Sequence, residues 1–151
     1  LIAVRRLLLV LILISWQTLA GAEESIAVVT SAGSRLDKLS LDTVKLIFKR
    51  KSMVDAYGGR WVPVNLPAAH PLRRLFSLTV FDALPEEMEE YWNERYFQGI
   101  NPPEVLSSEE AVLRFVAATP GAVGYGRAAQ VDARVKILLL VQSAGDLGEP
   151  P

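Results

Sequence analysis

The chain has no cysteine and a single histidine, His70, in 151 residues. Without thiols there is no disulfide, no thiolate metal site and no lipid attachment through cysteine. One imidazole is too few ligands for a structural zinc site. No G-x-S-x-G elbow occurs, and no glycine-rich loop ends in Lys-Ser or Lys-Thr, so neither a hydrolase nucleophile turn nor a P-loop is encoded. Nucleophilic catalysis would have His70 as its only imidazole base. The residues therefore read as non-catalytic, with no cofactor and no metal. An excess of positive charge is missing too: 16 Lys and Arg face 17 Asp and Glu, which gives no reason to expect nucleic acid or an anionic membrane surface as a partner.

Long apolar runs are equally scarce. Leu7 to Ile14 is unbroken but falls well short of the about 20 residues a bilayer span needs. Arg5 and Arg6 precede it and Ala20-Gly21-Ala22 follows it, the layout of a secretory signal peptide over residues 1–22, with a retained anchor as the alternative. Export to the periplasm is the expectation. Residues 23–145 are then one α/β domain and residues 146–151 a flexible tail. Without Arg5 and Arg6 the charge moves from −1 to −3.

Within that domain, Ile26 to Thr30 reads as a buried first strand. Ser40 is set to cap a helix with Leu41, Val44, Ile47 and Phe48 on one face, and Lys45, Lys49, Arg50 and Lys51 as its solvated far side and end. Gly58-Gly59 marks a turn into a strand from Trp61 to Val64, where Pro63 predicts an edge position. Pro71 opens a helix with Leu72, Leu75, Phe76, Thr79 and Val80 toward the core. Another starts at Pro85, its stripe of Met88, Tyr91, Trp92, Arg95 and Tyr96 predicted to be core. Ser107 with Glu110 forms a capping box for a helix that stops at Thr119-Pro120-Gly121. "AVGYG" is a tight apolar strand, and the nearly continuous "VKILLLV", Val135 to Val141, predicts a central strand covered on both faces. Strands separated by helices make a small sheet-and-helix sandwich.

The stretch "NLPAAHPLRRLF", Asn65 to Phe76, places the only histidine and an arginine pair where a helix begins, and helix N-termini bind anions. His70 can instead cap backbone groups. Arg73 and Arg74 point roughly 100° apart around a helix, so one of them at most reaches a ligand held at its start, and the other is left to solvent or an acid.

Several short motifs then follow one another in order: "LSLDTVKLIFKRK", "YGGRWVPVN", "RRLF", "W…YFQG" and "SSEEAVLRFVAATPGAVGYG". Together they resemble the phosphate-binding proteins of bacterial ABC transporters, within the type II periplasmic binding protein fold. "LIFKRK" is similar to that family's Ile-Phe-x-Gly-Lys helix end, and "TPGAVGYG" to its Pro-Gly-Ala-Ile-Gly-Tyr turn and strand. The likeness runs from Leu39 to Arg127 and leaves too few residues for a second lobe.

The resemblance implies a single small α/β lobe, a mixed sheet flanked by helices. It also implies non-catalytic binding of phosphate or a related oxyanion in the service of a membrane transporter. In the family a loop with Arg, Asp and Ser-Gly-Thr leads into the helix that grips phosphate; here "NLPAAHPLRR" stands in its place. The positions it points to are Asn65, His70 and Arg73, joined by Thr30, Ser31 and Ser34 if the loop after the first strand folds alongside. Pro71 removes one N–H such a site would use. Two other readings keep the fold: an accessory module that has lost phosphate and binds a protein partner, and two copies pairing to rebuild a cleft.

Overall fold

The computed structural model describes residues 24–142. The leader at 1–22 and the tail at 146–151 lie outside them. The strands are β1 (Ile26–Ser31), β2 (Val62–Asn65), β3 (Glu104–Val105), β4 (Ala122–Arg127) and β5 (Val135–Val141). The α-helices are α1 (Leu41–Phe48), α2 (Pro71–Phe81), α3 (Glu89–Phe97) and α4 (Glu109–Ala118), with 3₁₀ turns at Pro85–Met88 and Ala128–Gln130.

The strands form one mixed sheet in the order β3-β2-β4-β1-β5. β2 runs parallel to β3 and β4, whereas β1 is antiparallel to both its neighbours, β4 and β5. Side chains alternate faces along a strand, and β4 shows what covers each. A Cβ on Gly124 would meet Val112 and Val116 of α4. The next residue, Tyr125, stacks on Phe76 of α2 at 3.8 Å and lies 5.9 Å from Phe48 of α1. So α4 covers one face, α1 and α2 the other. The all-apolar residues Ile26 to Val29 sit between these layers, fully buried, as the first-strand reading expected.

Local signals account for most helix boundaries. Ser40 caps α1, accepting from the Thr43 N–H at 3.1 Å. Val44, Ile47 and Phe48 face inward, but Leu41, in the exposed first turn, is 40% exposed. Pro71 occupies the first turn of α2, and Leu72, Phe76 and Val80 are buried.

Four expectations are corrected. The cap of α4 is Ser108, not Ser107; its hydroxyl accepts from the Ala111 N–H at 3.1 Å, and Glu110 pairs with Arg134 at 2.8 Å. β5 is an edge strand, because β1 takes the centre with β4 and β5 on either side of it. A register shift opposite Val28 and Val29 interrupts the alternation along β5, in which Val135, Leu138 and Val141 are buried while Ile137 and Leu140 are exposed. β2 is an interior strand despite Pro63; its outer neighbour β3 pairs only with Val64 and Asn65, so Pro63 meets no partner on that side and its missing N–H is harmless. Finally, of the predicted core stripe only Met88, in the turn before α3, is buried, and α3 itself buries no residue. Its stripe instead seals the end of α1: the Tyr91 hydroxyl donates to the Lys49 carbonyl at 2.6 Å, and Arg95 donates to the Arg50 carbonyl at 3.0 Å. Those carbonyls belong to the C-cap and the residue just past it, where the helix leaves acceptors open.

Candidate functional site

β2 delivers Asn65 to the end of the sheet and α2 starts a few residues later, so the chain must turn at Leu66 to His70 with its backbone groups satisfied. Three side chains do this. Asn65 is buried, and its Oδ1 accepts from the Tyr125 hydroxyl at 2.5 Å. That hydroxyl in turn accepts from the Leu66 N–H at 3.4 Å, and Arg73 donates to the Leu66 carbonyl at 3.1 Å. Burial pushes the Tyr125 phenol well above its ordinary range, although the Arg73 charge opposes this. Burial likewise draws the Arg73 guanidinium down, against the favourable pull of Tyr125. The Arg73 Nε is buried and has no partner among the described residues.

His70 caps the helix. Its Nδ1 accepts from the Leu72 N–H at 3.1 Å, which requires the tautomer with the proton on Nε2. Pro71 carries no N–H, so the Arg73 N–H is left as the open donor of the first turn. Arg74 points away and meets Glu86 through two hydrogen bonds of 3.0 and 2.9 Å. The arginine pair is thus divided, one turned in and one tied to an acid.

A recess of about 290 Å³ opens beside this network. Asn65 and Arg73 line it from one side, Glu89, Trp92 and Asn93 of α3 from the other, with Pro103 between. Trp92 belongs to it although the sequence reading gave it to the core, and Glu89 and Asn93 join it from the same helix. Their spacing on one helix was the available signal, and only the position of α3 turns it into a wall.

Thr30, Ser31 and Ser34 do not join this group. β1 is antiparallel to β4, while β2 runs parallel to it. The loop after β1 therefore opens at the opposite end of the sheet from the loop after β2. Thr30 is buried and donates to the Ala122 carbonyl at 3.0 Å. Ser34 accepts from the Leu36 N–H at 3.2 Å. The structure brings Asn65 and Arg73 together, sets His70 at their edge and places the three hydroxyls elsewhere.

No family model and no curated protein matches the chain. Solved structures do. A phosphate ABC transporter substrate-binding protein from Clostridium perfringens, determined with bound phosphate, superposes with a TM-score of 0.64 at 20% identity, over 78% of this chain and 45% of that one. The fold is a single mixed α/β lobe similar to part of that protein. An ABC-type phosphate transport receptor from Vibrio cholerae matches at 0.61 and 16% identity, covering 76% of this chain and 45% of its own. PstS from Borrelia burgdorferi matches at 0.57 and 15%, covering 78% and 47%. The chain spans less than half the length of each. The recess at Asn65 and Arg73 lies where the parallel strands β2 and β3 end, the usual place for ligands on such sheets.

Proposed function

We propose that the chain is an exported, non-catalytic solute-binding lobe that holds an oxyanion, phosphate before others, in the recess between the end of β2 and α3. The observation that carries this is Arg73, a half-buried guanidinium lining the recess with its Nε unclaimed. A partly desolvated guanidinium forms strong, directional bonds to an oxyanion. Asn65 places its amide beside it, since its oxygen is spent on Tyr125. Glu89 lines the same recess. As a carboxylate it accepts a hydrogen bond from a protonated oxyanion and repels one without a proton, which favours phosphate over sulfate near neutral pH. The phosphate-binding neighbours support the reading through their fold. An uptake role would make a membrane transporter its partner and the periplasm its place.

Calorimetric titration of the full chain at low salt tests it, with phosphate as ligand and sulfate as control. The expected result is phosphate-selective heat, weakened by at least about tenfold in Arg73→Ala, which corresponds to about 1.4 kcal/mol. Glu89→Gln is expected to narrow the gap between phosphate and sulfate. Absence of heat up to millimolar phosphate would overturn the proposal. The accessory-module reading would then take over, and one feature favours it: Tyr96 and Phe97, at the end of α3, are 64% and 87% exposed, aromatic material of the kind interfaces use.

A further inference from the structure

The opposite end of the sheet carries a second and larger recess, of about 420 Å³. Its walls come from the loop after β1, the turn around Gly58-Gly59 and the chain entering β4. Arg35 and Arg60 line it, as do Tyr57, Trp61 and Leu36. The Arg35 guanidinium sits over the Tyr57 ring, 5.2 Å from its centroid, so stacking holds the cation at the wall.

Asp55 is the acid among the lining residues, and its Oδ1 is occupied by the N–H groups of Tyr57 and Gly59 at 2.7 and 2.9 Å. Two cations against one engaged carboxylate leave the recess with a net charge suited to a monoanion. Trp61 is only 5% exposed, and its indole N–H has no partner among the described residues, so folding leaves a donor in the wall unsatisfied.

The chemistry of these walls differs from that of a phosphate cradle. The N–H groups of Leu36, Tyr57, Gly59 and Trp61 are already bonded within the chain. Those four N–H groups are not available to a ligand. Besides Ser31 and Ser34, the lining offers two forked guanidinium groups with aromatic and aliphatic surface. Guanidinium forks match a carboxylate in two parallel bonds, and ring faces accept a flat apolar body. The volume suits a small organic ligand.

We propose that this recess is a binding site for a small organic carboxylate, its acid group held by Arg35 and Arg60 and its apolar body lying against Tyr57 and Trp61. It is separate from the oxyanion recess at Asn65 and Arg73 and does not depend on that reading.

Benzoate is the probe, with benzamide as its uncharged counterpart, titrated into the full chain and followed by calorimetry and by the indole N–H resonance of Trp61, assigned with Trp61→Phe. Saturable benzoate binding is expected, with a shift of the Trp61 resonance and no comparable binding of benzamide. Arg35→Ala and Arg60→Ala, both at exposed positions, are each expected to weaken it at least tenfold, while Arg73→Ala leaves it unchanged. Circular dichroism of each variant separates loss of binding from loss of fold, and Arg35→Lys serves if Arg35→Ala unfolds. The site is overturned if benzoate produces no saturable signal, if benzamide binds equally well, or if folded Arg35 and Arg60 variants bind like the parent.

Discussion

The two ends of the sheet use the same kinds of residue to opposite effect. At the Asn65 end, polar groups are largely spent on the fold: Tyr125 satisfies Asn65 and Leu66, Arg73 satisfies the Leu66 carbonyl, and His70 fills the first turn of α2. At the Trp61 end short side chains and backbone share the pairing, Ser34 taking the Leu36 N–H, Asp55 those of Tyr57 and Gly59, and the Met53 carbonyl that of Trp61, and the side chains of Arg35 and Arg60 and the Trp61 indole are left over. A buried turn must have its backbone groups paired. Who supplies the pairing decides what remains for a ligand. Where an arginine does it, one unclaimed guanidinium edge survives. Where short side chains such as Ser34 and Asp55 do it, two cations survive.

The largest expected effect comes from breaking the closed end. Tyr125→Ala removes a fully buried ring that stacks on Phe76 at 3.8 Å and holds Asn65, and a loss of about 3–5 kcal/mol in urea unfolding is expected. Tyr125→Phe keeps the ring and should cost about 1–3 kcal/mol, by stranding the Asn65 oxygen and the Leu66 N–H. Equal costs for the two variants would show that packing alone, and not the hydrogen-bond network, holds that end.

The other end is sensitive at Gly121. Its φ is +78°, and an added Cβ would come 2.1 Å from the Arg60 carbonyl oxygen. Gly121→Ala is expected to cost about 1–3 kcal/mol in stability and to weaken benzoate binding by displacing Arg60. Unchanged stability would show that the Arg60 turn yields easily, and the recess would then be less preformed than drawn.

His70→Ala sharpens the comparison with a smaller effect. Losing the cap should cost about 1 kcal/mol, yet it frees the Leu72 N–H for an anion. Stability is expected to fall while phosphate binds more tightly. Weaker phosphate binding would make His70 a ligand residue instead of a cap.

The smallest effect lies away from either recess. Asp132 is held at about 2, below its ordinary 3.8, first by the Arg134 side chain and then by its backbone N–H. A carboxyl depressed in the folded state contributes stability above its ordinary pKa and loses it as the pH falls through that range. Unfolding midpoints should therefore drop between about pH 4 and pH 2, and less steeply in Asp132→Asn. The group is exposed, so the change is slight.

Much of the fold was legible in short-range chemistry. The Ser40 cap, Pro71 at the start of α2, the stop at Gly121 and the apolar β1 each depend on residues close in sequence. The misreadings share one cause. An apolar run such as "VKILLLV" shows that a strand can be buried and not whether it is, because β1 took the central place. Pro63 forbids one hydrogen bond, and a two-residue β3 never asked for it. The stripe on α3 has helical spacing, but it was used to seal α1 and to wall a recess.

The sequence by itself determined the absences and the local boundaries: no thiol chemistry, one imidazole, balanced charge, and caps and turns set by neighbouring residues. Tertiary structure alone decided which polar groups meet. Thr30, Ser31 and Ser34 seemed partners for Asn65, His70 and Arg73, yet an antiparallel β1 carries its loop to the far end of the sheet. Strand direction depends on pairing between distant segments, and no spacing along the chain encodes it.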